Sequence, residues 1–373
     1  MNRAVFEDVS GSKSDRAVPR PAAERLPWRR GIALWLWILA GLVAVMILVG
    51  GLTRLTDSGL SITVWDPVMG AIPPLSQADW DAAFAAYQTT TEFQEQNHWM
   101  TLADFKPIFW WEWGHRFMGR FIGVVWLVGF LIFLAAGRIP RGWTGRLLLP
   151  GLLGGVQGAV GWWMVVSGLD KLDVASYRLA THLGLAFVIF MLLTWYALKV
   201  RLDEVAGLQA RRRRAGWLMG FAGLVGAVLF LQILSGALVA GIDAGRGYVD
   251  WPLMQGQFLP DESFDLQPLW RNAFENPALV QFIHRMLGYL VALIGIGFAM
   301  RALFNREGWI ARWGGAVGLV MLAQVVMGIV TVIHAAPLEI AIFHQAGAVL
   351  LTFVLIRARF ETAYPGERRI ARV

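Results

Sequence analysis

The sequence contains no cysteine among its 373 residues. This absence excludes disulfide bonds, haem attachment through a C-x-x-C-H motif, iron–sulfur clusters and zinc sites built from thiolates. Charged residues are also scarce, at 16% of the chain, against about a quarter in ordinary soluble domains. The mean hydropathy is +0.53, and 57% of the residues are hydrophobic. The composition therefore predicts a membrane protein.

The sequence also lacks a cleavable targeting segment at its start. Residues 1–30 mix basic with acidic residues and contain no apolar core, so neither a signal peptide nor a transit peptide is expected. We expect a polar cytoplasmic tail instead. The net charge of +7 would suggest nucleic acid in a soluble chain, but basic cytoplasmic loops explain it better here. No nucleic-acid partner is therefore expected.

Several apolar stretches are long enough to span about 30 Å of hydrocarbon. These stretches lie near 31–52, 109–136, 147–167, 176–198, 216–240, 279–302, 313–333 and 338–357. The fold class predicted from them is an all-α polytopic membrane protein with eight transmembrane helices. Lys and Arg concentrate on one side of these helices, where segments including both chain ends hold 24 of the 33. Because basic residues favour cytoplasmic loops, both termini are predicted to be cytoplasmic.

Two long external segments, about 53–108 and 241–278, resemble each other. Both contain an Asp-x-Gly triplet, then a Pro-x-Met triplet, then a further proline, and matching residues are 185 or 186 positions apart. The spacing falls to 169 between His115 and His284, as loop-length differences between duplicated halves would cause. Helices one to four and five to eight are therefore predicted to form a parallel repeat of two four-helix bundles.

This repeat predicts the organisation of the whole chain. The two bundles are joined by a basic cytoplasmic linker and flanked by cytoplasmic tails. The predicted ranges are 1–30 for the N-terminal tail, 31–200 for the first bundle, 201–215 for the linker, 216–357 for the second bundle and 358–373 for the C-terminal tail.

Four histidines lie inside predicted membrane helices, namely His115, His182, His284 and His344. At 1.5 Å per residue, each lies roughly 10–12 Å into an even-numbered helix from its outer end. Two imidazoles at equal depth on facing helices can bind a flat macrocycle from both sides. A single such histidine could equally be a hydrogen-bonded packing residue. Four at one depth, repeated between the halves, favour ligands to haem iron.

The remaining features around the histidines are interpreted by the same symmetry. Pro107, Pro277 and Pro337 are expected at the starts of helices two, six and eight. His98 lies in the polar first loop, and the first half has a serine where the second half has His334. Neither of these two histidines is expected to be a ligand.

Two arginines and one glutamate accompany the histidines. Arg116 and Arg285 directly follow their histidines and could pair with haem propionates, or instead extend to lipid headgroups. Glu112 lies three residues before His115, whereas the second half has Gln281 at that position. This asymmetry indicates one reactive site and one structural or electron-carrying site. The alternative is that Glu112 is merely solvated or paired with Arg116.

The combined pattern resembles the haem A synthase family, over about residues 31–357. The features that carry the resemblance are the two four-helix halves, Glu112-x-x-His115-Arg116, His182, His284-Arg285 and His344. The family fold is a pair of four-helix bundles. The resemblance implies that His284 and His344 bind a haem B cofactor and that His115 and His182 take the substrate, haem O. It also implies an essential catalytic role for Glu112.

The reaction implied by the resemblance oxidises a ring methyl of haem O to a formyl group, through hydroxylated intermediates, and makes haem A for cytochrome oxidase. Candidate partners are then membrane lipid, haem O synthase, cytochrome oxidase assembly factors and a second copy of the chain. Some bacterial members carry a cysteine pair in an external loop, which this chain lacks. It therefore resembles the cysteine-free branch of proteobacteria and mitochondria, and its tail favours a bacterial inner membrane.

Two other functions use the same ligands. A non-enzymatic dihaem electron carrier of the b type commonly stacks its haems across the membrane, which requires histidines at both depths. Here all four are expected at one depth, and Glu112 breaks the symmetry. A haem transporter or chaperone would bind haem without turnover, and the residues leave that alternative open.

Overall fold

The computed structural model describes residues 26–66, 68–169 and 174–366. Within these ranges the chain is α-helical without a β-strand, and eight helices are long and apolar enough to cross a membrane. This confirms the predicted fold class and the predicted number of spans. The membrane helices are α1 Leu26–Leu55, α2 Leu102–Ala135, α3 Thr144–Val166, α4 Ser176–Lys199, α5 Gly216–Gly241, α6 Pro277–Leu303, α7 Gly308–Ile333 and α8 Leu338–Ala363.

One helix start differs from the prediction. Pro277 occupies the first turn of α6 and Pro337 is the N-cap of α8, as expected, but Pro107 lies inside α2. Helix α2 starts earlier because Thr101 and Asp104 form a capping box, in which each side chain accepts the other residue's backbone N–H. The proline lies in the second turn, where it removes a single helical hydrogen bond.

The helices also extend beyond the apolar runs at both ends. Helix α1 includes residues 26–30, which were expected in the tail, and α8 continues to Ala363 rather than ending near 357. Arg357 and Glu361, one helical turn apart, form a largely buried ion pair at 2.6 Å in this extension. The expected linker contains the short helix Glu204–Arg212. Most of the predicted tails, at 1–25 and 367–373, lies outside the described residues, as does Pro67.

Within each half, every helix packs on two others, so the four helices form a closed bundle. Helix α1 packs on α2 and α4, and α3 packs on α2 and α4; α5 packs on α6 and α8, and α7 packs on the same two helices. The halves meet through α1 and α4 on one side and α5 and α8 on the other. The core follows this arrangement, because α1, α4 and α5 have the largest buried shares of their most apolar segments. The duplicated origin of the two halves stays a prediction.

The outer helices expose apolar side chains. Most of α2 and α3 is accessible, and the accessible residues include Phe121, Leu131, Leu152 and Trp163. In water such a surface would be an aggregation liability, whereas in hydrocarbon it is the expected outer face of a spanning helix.

The two long segments that are predicted to be external are structured and connect the halves. In the first, the helix Gln77–Tyr87 places Tyr87 against Phe105 and Phe109 at the start of α2. In both segments the Asp of the Asp-x-Gly triplet has a positive φ, 49° at Asp57 and 50° at Asp243, a conformation that aspartate tolerates better than most residues. Arg54 bonds to both carboxylates and so connects the two halves.

Candidate haem site

Each of the four membrane histidines lies on an even-numbered helix and faces a glycine of the preceding helix. The pairs are His115 with Gly50 of α1, His182 with Gly161 of α3, His284 with Gly236 of α5, and His344 with Gly328 of α7. In every pair the closest histidine atom to the glycine is Cε1. All four rings are therefore held against the backbone of a neighbouring helix in the same manner.

The glycines are necessary for this packing. A Cβ built on them would lie 2.9 to 3.1 Å from Cε1 of the facing histidine, closer than side-chain carbons normally approach. The sequence pattern did not identify these glycines as contacts of the histidines, although they follow the spacing of the repeat. Gly50 and Gly236 are separated by the same interval as the two Asp-x-Gly triplets.

His115 and His182, which we call the first histidine pair, face each other. Their ring centroids are 6.3 Å apart and the rings are inclined by 51°. A nitrogen lies about 1.1 Å from the centre of its imidazole ring and binds a transition metal at about 2.0 Å, so two imidazoles on opposite sides of one metal have centres about 6.2 Å apart. The spacing fits one iron between the two rings.

The accessible edges of these rings support the same interpretation. Nδ1 is buried in both His115 and His182, while each side chain as a whole is only partly buried. The accessible part of each ring therefore lies away from Nδ1 and includes Nε2, the nitrogen that is free to bind iron. Among the described residues no three His, Asp or Glu side chains converge. Paired single ligands are typical of haem, whose porphyrin supplies the other four.

His284 and His344, the second histidine pair, lie close enough to interact electrostatically. Their Nδ1 atoms have polar neighbours, unlike those of the first pair. Ser235 Oγ lies 2.9 Å from Nδ1 of His284, and Nε2 of Gln232 lies 3.2 Å from both ring nitrogens. Nε2 of Gln324 lies 3.3 Å from Nδ1 of His344. The second pair is therefore held by hydrogen bonds as well as by packing.

A glutamine of the preceding helix supports the backbone at the last histidine of each half. Gln157 of α3 donates to the carbonyl oxygen of His182 at 3.0 Å, and Gln324 of α7 donates to that of His344 at 2.8 Å. Each glutamine lies one helical turn before the glycine that faces the same histidine, so the match between the halves extends to both residues. Each bond holds the helix that carries the histidine against its neighbour.

Glu112 is buried, with 3% of its surface accessible, and it is fully hydrogen-bonded. Its Oε2 accepts from the Ser61 hydroxyl at 2.7 Å and the Ile62 backbone N–H at 2.6 Å. Its Oε1 accepts from Arg116, with Nη2 at 2.6 Å and Nε at 3.1 Å. The pairing with Arg116 that the sequence left open is thus present, whereas a solvated carboxylate is excluded.

Gln281, the counterpart of Glu112, makes a different contact with its loop. Its amide nitrogen donates to the carbonyl oxygen of Tyr248 at 3.1 Å. In the first half the carboxylate accepts from the N–H of Ile62. Ile62 and Tyr248 occupy equivalent places in the two external segments, because each lies at the same distance beyond its Asp-x-Gly triplet. The carboxylate of Glu112 is thus matched to a backbone N–H, and the amide of Gln281 is matched to a backbone carbonyl oxygen.

The arginines beside the histidines hold the external segments. Arg116 donates to the carbonyl oxygens of Ile62 at 2.6 Å and Val64 at 3.0 Å. Arg285 donates to those of Tyr248 at 2.9 Å and Leu253 at 2.8 Å. Each guanidinium thus fastens a loop over the outer end of its helix, which the sequence did not predict. Their contact with haem propionates stays a prediction.

The other two histidines lie apart from these pairs. His98 is exposed in the first external segment. His334 is exposed at the C-terminal end of α7, where its Nδ1 lies 2.8 Å from the carbonyl oxygen of Val330. That neither of them is a ligand stays a prediction.

Eight spanning helices with two pairs of intramembrane histidines, the first pair facing each other at 6.3 Å, are typical of one class, the polytopic membrane proteins that bind haem between helices. Comparison with known proteins defines the class further. Residues 33–356 match the COX15-CtaA family model, described as cytochrome oxidase assembly protein.

Curated relatives extend the match to nearly the whole chain. The chain is 55% identical over 370 residues to the haem A synthase of Ruegeria pomeroyi, covering 97% of each chain. It is 53% identical over 371 residues to that of Ruegeria sp. strain TM1040, covering 98% of this chain and 97% of the relative. It is 50% identical over 374 residues to that of Paracoccus denitrificans, covering 99% and 98%. The chain therefore belongs to the haem A synthase family of cytochrome oxidase assembly proteins.

Proposed function

We propose that this protein oxidises a ring methyl of haem O to a formyl group and so makes haem A for cytochrome oxidase. The observation that carries the proposal is the pair of facing imidazoles at 6.3 Å in the half that also contains Glu112. Near-complete similarity to proteins named haem A synthase supports the same reaction. Bound haem supplies the redox chemistry, while the protein binds, orients and handles protons.

The two halves divide the work in this proposal. His115 and His182 bind haem O as substrate, and His284 and His344 bind a resident haem B. The support for this division is that a carboxylate precedes the histidine in the first half only, where the second has Gln281. Arg116 and Arg285 hold the external loops and would also pair with the haem propionates. The two bundles, about 31–200 and 216–357, are the units that carry the two haems.

Glu112 is proposed to act in the oxidation as a proton acceptor. With water as the source of the oxygen atom, conversion of a methyl to a formyl group releases protons to a base and electrons to an external oxidant. The site then needs a group that can accept the protons. Glu112 lies one helical turn from His115 and bonds to Ser61 and Ile62 of the outer loop. That position connects the depth of the first pair with the outer surface. A carboxylate is one of the side chains that can act as a general base.

The proposed location is a bacterial inner membrane with both termini in the cytoplasm. The concentration of Lys and Arg at 24 of 33 on one side supports this orientation. The histidine pairs then lie in the outer half of the bilayer.

Haem O synthase, as the source of the substrate, and cytochrome oxidase assembly factors, as recipients of the product, are proposed partners. A homo-oligomer is a further proposal.

Pigment analysis of cells tests the proposed function. Cells that make haem O but lack their own enzyme for its oxidation should gain haem A when they express this chain. A b-type electron carrier or a haem transporter would leave haem O unchanged in these cells. A His182→Ala variant is the matched control, because it removes a proposed substrate ligand and leaves the second pair intact.

A further inference from the structure

We propose that a hydrogen bond from His284 to Ser235 helps to make the second histidine pair a permanent ligand set, and that the first pair, whose Nδ1 atoms have no such partner, is the pair that exchanges its haem. This inference rests on the proposed function, and it identifies the property of the first pair that lets haem O enter and haem A leave. Ser235 acts through His284 and is therefore a positioning residue.

The direction of the hydrogen bond follows from the second contact of Ser235. The hydroxyl donates to the carbonyl oxygen of Gln232 at 2.8 Å, three residues earlier on α5. Its proton is therefore engaged, and its lone pairs face Nδ1 of His284 at 2.9 Å. The serine accepts from Nδ1–H, which leaves Nε2 unprotonated, with a lone pair that can bind iron. The side-chain amide nitrogen of Gln232 lies 3.2 Å from this Nε2. Ser235 itself is buried, so water does not compete for this bond.

The corresponding position of the first half has no such acceptor. Gly50 and Gly236 pack on their histidines in the same way and therefore occupy equivalent positions. Ser235, directly before Gly236, then corresponds to Val49, and Gln232 corresponds to Met46. Both polar residues are thus replaced by apolar ones. In agreement, Nδ1 of His115 is buried and has no hydrogen-bond partner among the described residues.

The other histidine of each pair shows the same difference. Gln324 reaches both the carbonyl oxygen and Nδ1 of His344, whereas Gln157 bonds only to the carbonyl oxygen of His182. Nδ1 of His182 is also buried without a partner in the described part of the chain.

A glycine accompanies Gln324 in the second half only. Gly347 leaves space for the Gln324 side chain, since a Cβ at Gly347 would lie 2.0 Å from the amide oxygen of Gln324. Counted from the histidine of each helix, the first half has Leu185 at the position of Gly347. In the second pair, therefore, both imidazole rings have a polar side chain at Nδ1 that fixes their orientation.

The consequence for iron binding follows from the chemistry of imidazole. An acceptor at Nδ1–H orients the ring and makes Nε2 a stronger electron donor, and loss of such a partner typically weakens metal binding about 10–100-fold. A stronger donor also favours ferric over ferrous iron and lowers the reduction potential. A resident haem B requires strong ligands. A substrate haem requires at least one ligand that can leave, and in the described part of the chain neither His115 nor His182 has a hydrogen bond at Nδ1 to hold it.

The experiment uses the full-length protein purified in detergent, with redox titration of haem B and extraction of bound pigment. Ser235→Ala should raise the reduction potential of haem B and weaken its retention by about 10–100-fold. Ser235→Thr keeps the hydroxyl and should restore both properties. An unchanged potential and haem B content in Ser235→Ala would overturn the proposal. The same defect in Ser235→Thr would also overturn it, because packing would then be the cause.

The converse variant tests the first half independently, even if Ser235→Ala does not accumulate. Val49→Ser can donate to the carbonyl oxygen of Met46, as Ser235 does to Gln232, and then accept from His115. It should retain haem O or haem A through purification about 10-fold better than wild type, with the potential of haem B unchanged. Unchanged retention would overturn the proposal that a missing partner at Nδ1 makes the first pair exchange its haem. Wild-type protein that binds haem B without forming haem A in cells would instead refute the proposed function.

Discussion

Replacement of Glu112 by glutamine tests whether the carboxylate takes part in oxidation. The volume is nearly conserved, but the amide has one acceptor oxygen where the carboxylate uses two. One side of the network must therefore be lost, either the bonds to Ser61 and Ile62 or those to Arg116. Loss of a partner in a buried ion pair costs about 3–5 kcal/mol. Here we expect about 2–3 kcal/mol, because Arg116 keeps its bonds to two loop carbonyls.

That cost leaves most of the protein folded, since native proteins are stable by about 5–15 kcal/mol. The Glu112→Gln protein should therefore accumulate and retain haem B, while haem O or a hydroxylated intermediate replaces haem A in the cells. Ser61→Ala is the matched control, because it removes one bond to Glu112 but leaves the carboxylate in place, and it should still yield haem A. Wild-type amounts of haem A in Glu112→Gln cells would refute a chemical role. Loss of the protein itself would make the residue structural.

Three further predictions concern the packing, the periphery and the orientation of the protein. Gly236→Leu should abolish stable haem B binding because its side chain occupies the space of the His284 ring, whereas Gly220→Leu, in open space on the same helix, should leave the haem content of purified protein unchanged. His98→Ala should leave the haem B spectrum intact, and loss of haem in that variant would mean that the external loop folds over the site. A reporter fused after Arg214 should be cytoplasmic and one inserted near Gln77 external, and the reverse at both sites would refute the orientation.

The eight helices could be predicted because membrane-length apolar runs depend only on composition and length. Their ends could not, because they depend on local polar contacts. The Thr101 and Asp104 capping box starts α2 ahead of its apolar run, and a signal for it was present in the sequence. The end of α8 could not be predicted in this way. The ion pair between Arg357 and Glu361 lies in a stretch whose polar composition predicts a tail.

The histidines could be identified as site residues because ionisable groups inside apolar helices are rare. Their environment could not be predicted, because it depends on contacts between helices. Nothing in the sequence around Gly50 shows that it faces His115. The partners of Glu112 depend on the course of an external loop, which has no periodic pattern to reveal it. The interval between the Asp-x-Gly triplets already aligns Ser235 with Val49, but only the structure shows that Ser235 lies beside Nδ1 of His284.

The central claim is the division between a substrate site in the first half and a resident haem B in the second. Pigment extracted from purified His115→Ala and His284→Ala proteins tests it most directly. We expect His115→Ala to retain haem B with its low-spin spectrum but to yield no haem A in cells. We expect His284→Ala to lose haem B. Normal low-spin haem B in His284→Ala, together with its loss in His115→Ala, would contradict the assignment.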